Sequence, residues 1–188
     1  GSSLGEYNAL LAAGAFSLRE GLTLVRARAA GTYIAHRLNP GGMIALLAQP
    51  EQSQLLDETA TSLRRKHNLY LEAVNSDTQI IVAGLNTNLA EAKEWFAQEG
   101  LTDQGLRIID LKVPGAFHTP LMEPAKPYLA DALKTVRLKK TRVPVISNVS
   151  ARPISKPEEI EQELIDHLTH PVRLKEMMDF AEQEGVAA

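Results

Sequence analysis

Residues 1–13, GSSLGEYNALLAA, place a Gly-x-Ser-x-Gly pattern directly before a predicted helix. This pattern is typical of a sharp strand-to-helix turn that exposes a serine, here Ser3, at the edge of an α/β sheet. Leu4, Tyr7 and Leu11 recur at helical spacing, so we expect the helix to begin directly after Ser3. The backbone N–H of Leu4 would then lie at a helix N-terminus, where it can stabilise an oxyanion.

The strand that such a turn requires is missing from the sequence before Gly1, and no strand is predicted after the C-terminal GVAA. We therefore expect the sequence to be part of a larger α/β domain, and to be poorly folded and inactive when expressed alone. Gly-Ser-Ser is also a sequence that expression tags leave behind, an alternative that applies to Gly1 and Ser2.

Residues 40–112 alternate between short apolar segments and amphipathic segments. The apolar segments GMIALLA, LYLEAV, QIIVAGL and RIIDLKV predict four strands, and the two segments between them predict helices. The order β-α-β-β-α-β is that of a ferredoxin-like subdomain. We expect an α/β fold in which this subdomain, 40–112, is inserted into a partial hydrolase-like α/β core formed by residues 1–39 and 113–188. The core would contain a strand at VPVISNV, 143–149.

The composition narrows the possible chemistry. The chain has 188 residues, 44% of them hydrophobic, with a net charge of −3 and no cysteine. The absence of cysteine excludes disulfides, thiolate metal sites and cysteine nucleophiles. Lysine and arginine are scattered and no apolar run is long enough to span a membrane, so we expect neither nucleic acid nor a membrane as a partner. We predict a cytoplasmic protein that holds no metal.

A serine nucleophile needs a general base, and the chain contains five histidines. His118 lies in VPGAFHTPLM, a loop bounded by glycine and proline, where catalytic bases are often found. A packed or surface loop histidine is the alternative. His36 and His67 are expected at solvated helix ends, and two further histidines, His167 and His170, are expected to interact with a helix C-terminus.

Five segments occur in an order shared with one protein family: GSSLGEYNALLAAGAFSLREGLTLVRAR, NSDTQIIVAG, VPGAFHTPLM, VPVISNV and HLTHPVR. Together they resemble the malonyl-CoA:acyl-carrier-protein transacylase family, which includes the acyltransferases of polyketide synthases. The resemblance covers essentially the whole chain. It implies transfer of a malonyl group from malonyl-CoA to the phosphopantetheine thiol of an acyl carrier protein, in polyketide or fatty-acid biosynthesis. Both thioesters are substrates, so no cofactor is implied.

The resemblance also assigns roles to residues. Ser3 would accept the acyl group, and His118 would take its proton and later serve the acceptor thiol. A backbone carbonyl near His167 would orient the imidazole, so a third carboxylate member is not required. Asn148 matches a family asparagine near the site.

Two further residues would govern the choice of substrate. Arg28 matches the arginine that binds the free carboxylate of malonyl, and its planar guanidinium suits such a ligand. Phe117 matches the phenylalanine that precedes the histidine in malonyl-selective relatives, where it fills the space needed by an α-methyl group.

The sequence departs from the family at Ser2, where relatives carry histidine, a change expected to affect substrate positioning. The glutamine loop that supplies the family's second oxyanion donor is also missing from the sequence. Two alternatives therefore stay open. One is an acyl-enzyme hydrolase that uses the same serine and histidine, and the other is a non-catalytic relative that docks carrier proteins. The presence of Ser3, Arg28 and His118 favours the transferase.

Overall fold

Two helices follow the opening turn in a computed structural model that describes residues 1–185. Helix α1 spans Leu4–Ala13 and α2 spans Leu18–Leu38. The side chain of Ser17 accepts a hydrogen bond from the backbone N–H of Glu20, and the Glu20 carboxylate accepts one from the backbone N–H of Ser17, so a capping box begins α2. The predicted core runs to residue 188, and residues 186–188 lie outside the described part.

The region 40–112 contains the predicted order of strands and helices. The elements are β1 (Gly41–Leu47), a 3₁₀ turn (Pro50–Gln52), α3 (Ser53–His67), β2 (Tyr70–Ser76), β3 (Gln79–Leu85), α4 (Asn86–Gln98) and β4 (Arg107–Leu111). The four strands form one sheet in the order β2-β3-β1-β4, and every neighbouring pair is antiparallel. Strand β3 has the predicted bounds, whereas β2 ends two residues later than predicted, so only two residues separate the strands.

Alternating side chains give this sheet two buried faces. Ile44 and Leu46 of β1, with Val82 of β3, pack against the apolar sides of α3 and α4. Met43 and Ala45 lie on the opposite face, in a second cluster completed by residues from outside 40–112: Ala116, Phe117, Leu121, Val172 and Leu174. The second face therefore carries the segment that precedes His118.

The rest of the described chain is mainly helical. A 3₁₀ helix (Pro120–Ala125) leads into α5 (Lys126–Leu133), and α6 (Pro157–Asp166) and α7 (Leu174–Gln183) follow. A Cβ atom at Gly31 of α2 would lie 2.8 Å from the Ala125 carbonyl oxygen, so glycine is what allows α2 to approach this 3₁₀ helix closely. Among residues 1–185, no helix has both the length and the apolar composition needed to cross a membrane.

The predicted strand at 143–149 is wrong in extent. Only Val145–Ile146 form a strand, β5, which pairs antiparallel with the unpredicted β6, Pro153–Ile154. The polar residues that follow bend the chain. The Ser147 hydroxyl accepts hydrogen bonds from the backbone N–H groups of Val149 and Ser150, and the Ser147 carbonyl accepts one from the N–H of Ala151. Within residues 1–185 the fold is thus mixed α/β, with this small ladder outside the four-stranded sheet.

Candidate active site

Ser3 is held in an unusual backbone conformation immediately before α1. Its φ is 51° and its ψ is −107°, a region that costs a non-glycine residue about 1–3 kcal/mol. The backbone N–H of Ser3 donates a 2.7 Å hydrogen bond to Oδ1 of Asn148, and Nδ2 of Asn148 donates a 3.0 Å bond to the Gly1 carbonyl. Asn148 is fully buried, so the two bonds fix the turn that exposes the serine hydroxyl.

His118 lies between the serine and a backbone carbonyl. Its Nε2 is 2.8 Å from Ser3 Oγ, and its Nδ1 is 2.7 Å from the carbonyl oxygen of His167. A carbonyl only accepts hydrogen bonds, so Nδ1 carries the proton and donates it. In the neutral ring Nε2 is then an acceptor, and the Ser3 hydroxyl donates to it. This arrangement matches that of a serine nucleophile with its general base.

The surroundings of His118 favour the neutral imidazole. The residue is buried, and its ring stacks on that of His167 with 4.5 Å between the ring centroids. Burial lowers the pKa of His118 well below its ordinary value, and the charges of the His167 ring and Arg28 act in the same direction, whereas the hydrogen bond to the His167 carbonyl opposes them. Burial likewise lowers the pKa of His167 to about 3. Both rings are therefore uncharged at neutral pH, and His118 is able to accept a proton.

Arg28 reaches the serine from α2. Its Nη2 donates a 2.7 Å hydrogen bond to Ser3 Oγ, and its guanidinium carbon lies 5.6 Å from the centre of the Tyr7 ring. The ring face attracts the cation and supports its position. A permanent positive charge is thus placed beside the serine hydroxyl.

These groups open into one cavity of about 420 Å³. It is lined by Ser3, Leu4, Val25, Arg28, Ala29, Thr32, Met43, Glu72, Phe117 and His118. The cavity thus brings the sequence-predicted Ser3, Leu4, Arg28, Phe117 and His118 together. Asn148 and the His167 carbonyl are not among the lining residues, but they bond to Ser3 and His118, respectively. Ser2 is exposed and is not among the lining residues.

The remaining histidines lie away from the cavity lining. His67 packs at a tilt against Trp95, and Nδ1 of His170 lies 2.8 Å from the Asp166 carbonyl at the end of α6, as expected for a helix-end contact. Three expectations were wrong. His36 and His67 are half-buried and not solvated, and the His167 side chain is buried, with its ring stacked on that of His118.

Glu6 is a buried carboxyl that the sequence analysis missed. It is 1% exposed, its Oε1 accepts a 3.1 Å hydrogen bond from the Asn148 N–H, and burial raises its pKa to about 7. Its Oε2 lies 2.8 Å from Nδ1 of His167, a close contact without hydrogen-bond geometry. Glu6 shares the buried side of α1 with Leu10 and Ala13, a helical spacing that could have revealed it.

Glu72 is the second carboxyl that was missed. It lies on β2, is 6% exposed, and its Oε1 is 3.9 Å from Nε2 of His118. Burial raises its pKa to about 7. The available signal was a single charged residue inside the apolar segment LYLEAV.

Comparisons with known proteins agree on one family. The sequence model of the acyl transferase domain family matches residues 1–187. The malonyl CoA-acyl carrier protein transacylase of Bacillus subtilis is 35% identical over 187 residues, which are 99% of this chain and 57% of that protein. The polyketide biosynthesis malonyl CoA-acyl carrier protein transacylase PksC, also from Bacillus subtilis, is 33% identical over 98% of this chain and 61% of its own length.

Solved structures give the same result. The acyl-carrier-protein S-malonyltransferase from Burkholderia pseudomallei superimposes with a TM-score of 0.83 at 31% identity, over 98% of this chain and 58% of that one. The chain thus spans somewhat more than half the length of these relatives. Its sequence, its fold and the serine–histidine pair agree with one another, and the chain belongs to the acyl transferase domain family.

Proposed function

We propose that this chain carries the catalytic centre of a malonyl-CoA:acyl-carrier-protein transacylase. The observation that carries the proposal is the position of Ser3 Oγ, which is 2.8 Å from Nε2 of His118 and 2.7 Å from Nη2 of Arg28. The oxygen of the nucleophile is thus in contact with both a general base and a cation that can bind a carboxylate. Two relatives are named malonyl CoA-acyl carrier protein transacylases, which supports the same substrates.

The mechanism follows from these contacts. His118 Nε2 removes the Ser3 proton while Oγ attacks the thioester carbonyl of malonyl-CoA. The imidazolium, held through its Nδ1–H by the His167 carbonyl, returns the proton to the departing thiolate of coenzyme A. The phosphopantetheine thiol of the carrier protein then gives its proton to His118 and attacks the seryl ester, and His118 returns that proton to Ser3 Oγ as the ester bond breaks.

Leu4 is proposed as one oxyanion donor. It is the first residue of α1 and lines the cavity, whereas the next two N–H groups of the helix already bond to the carbonyls of Ser2 and Ser3. The N–H groups of a first helical turn favour negative charge on an adjacent oxygen.

A cytoplasmic location is proposed for the protein.

Residues 40–112 are proposed to be a ferredoxin-like subdomain. The element order β-α-β-β-α-β and the antiparallel strand order β2-β3-β1-β4 support this subdomain. The subdomain supplies Met43 and Glu72 to the cavity, while the surrounding residues supply Ser3, Arg28 and His118.

The proposal is tested by intact-mass spectrometry of the full-length protein. Malonyl-CoA should add one malonyl group, and an acyl carrier protein should discharge it faster than water does. Discharge by water alone would favour an acyl-enzyme hydrolase. The absence of any adduct would favour a relative that only docks carrier proteins.

Arg28→Ala tests the carboxylate contact. Each charge-assisted hydrogen bond to a carboxylate contributes about 1.5–3 kcal/mol, so malonyl loading should fall about ten- to a hundredfold relative to acetyl loading. Competition between malonyl-CoA and acetyl-CoA, read by mass, measures this ratio. Arg26→Ala is the matched control, because Arg26 is exposed on the same helix. Equal losses for both acyl groups would contradict the role of Arg28.

Asn148→Ala tests the support of the turn. The substitution leaves the Ser3 N–H without its 2.7 Å acceptor, so we expect malonyl loading to slow about tenfold while the malonyl-to-acetyl ratio is retained. The rate of adduct formation measures the effect, with Asn88→Ala on α4 as the control. An unchanged rate would show that the turn does not depend on this amide.

A further inference from the structure

Glu72 enters the cavity through an irregularity in the sheet. In the pairing of β2 with β3, Leu71 lies opposite Val82 and Ala73 lies opposite Ile81, so Glu72 is an extra residue without a partner on β3. Such β-bulges redirect a side chain and are common beside active sites. The Glu72 carbonyl accepts a 2.8 Å hydrogen bond from the Val172 N–H, which fixes the bulge from the other side. The carboxyl is therefore held in the cavity by the backbone.

Two other residues that line this cavity, His118 and Arg28, are ionisable or charged. His118 Nε2 lies 3.9 Å from Oε1 of Glu72, beyond hydrogen-bond distance, and Arg28 lines the same cavity from α2. The neighbouring strands β1 and β3 contain no titratable residue. Helix α7 packs on β2, and its near charges are already paired: Lys175 with Asp77 and Asp179, and Glu176 with Arg173.

We propose that Glu72 is a specificity-determining residue, whose carboxylate lines the cavity, repels the carboxylate of a malonyl group there and weakens the preference of the cavity for malonyl over acetyl. Like charges in a buried site repel strongly, since few water molecules screen them. A malonyl group brings a carboxylate into the cavity that already holds Glu72, whereas an acetyl group does not. This inference rests on the proposed acyl transfer.

The relevant readout is a ratio of two loadings. A charged Glu72 also stabilises the imidazolium of His118, but it does so for every acyl group, and this effect cancels when malonyl and acetyl loading are compared. Because burial raises the pKa of Glu72 to about 7, the carboxyl changes from neutral to charged as the pH rises through that value. The carboxylate of a malonyl group, whose ordinary pKa is about 4, stays charged over this range.

The test uses Glu72→Gln in the full-length protein, with malonyl-CoA and acetyl-CoA in competition and the products read by intact mass. At about pH 8.5 the variant should raise the malonyl-to-acetyl ratio about tenfold. In the unsubstituted protein the ratio should fall by most of that factor between about pH 6 and about pH 8.5. In the variant the fall should be much smaller, and what remains comes from Glu6, whose pKa burial also raises to about 7. Glu91→Gln, exposed on α4, should behave like the unsubstituted protein.

The possible outcomes separate the two proposals. If the unsubstituted protein forms neither adduct, the proposed function fails and the role of Glu72 fails with it. If adducts form but Glu72→Gln leaves the ratio unchanged, the role of Glu72 alone is overturned. If the variant does not fold, the pH profile of the unsubstituted protein decides, because a ratio that is constant across pH 7 overturns the inference.

Discussion

Ser3→Ala will abolish the malonyl adduct in the full-length protein and lower transfer to the carrier protein by about 10⁴-fold or more. The loss is large because the substitution removes the one atom that His118 and Arg28 both contact. Without Oγ the acyl-enzyme cannot form, and the remaining groups can only assist direct attack by the acceptor thiol. Intact mass measures the adduct, and a carrier-protein assay measures the transfer.

A matched serine keeps this result interpretable. Ser62→Ala lies on α3, outside the cavity, and should load malonyl at the unsubstituted rate. Thermal unfolding of the Ser3→Ala protein should be similar to that of the unsubstituted protein, because Ser3 holds its turn through the backbone N–H and not through the hydroxyl. A persistent adduct of malonyl mass in Ser3→Ala, mapped to another residue, would contradict the assignment of the nucleophile.

The sequence was most informative where local spacing determines structure. The strands and helices between 40 and 112 follow from alternating and helical apolar patterns, and all six occur in the predicted order. Ser3 and Leu4 are identified by a motif that depends only on neighbouring residues. Arg28 and His118 needed the family resemblance, because arginines on a helix and histidines in a loop are usually surface residues.

The remaining features depend on distant contacts. The His167 carbonyl that bonds to His118 is 49 residues away in sequence, and Asn148 bonds to Ser3 across 145 residues. Neither hydrogen bond produces a periodic pattern in the amino-acid sequence. Glu72 faces the cavity only because a bulge shifts the register of β2, and no residue pattern in LYLEAV encodes that bulge. The segment 143–149 has an apolar composition typical of a strand, yet side-chain hydrogen bonds from Ser147 turn it instead.

Gly41→Ala will lower the free energy of unfolding of the full-length protein by about 2–4 kcal/mol. Gly41 begins β1, and a Cβ atom there would lie 2.4 Å from the Gly84 carbonyl oxygen and 3.2 Å from Cβ of Ala116. The first contact is with backbone, which cannot rotate away as a flexible side chain can. The strands must separate locally, or the segment bearing Ala116 must shift. Urea denaturation measures the change.

Gly42→Ala is the matched control, because the two glycines are adjacent in the same strand. Its Cβ would meet Leu89 and Asn86 side-chain atoms at 3.4 and 3.6 Å, which are ordinary contacts, so we expect a change within about 1 kcal/mol. Ala116 lies two residues before His118, so a displaced Ala116 also moves the base. Gly41→Ala should therefore slow malonyl loading even under conditions where the protein stays folded, and Gly42→Ala should not. If neither substitution changes stability or loading, β1 tolerates a side chain at Gly41, beside the segment that leads to His118, and the prediction is contradicted.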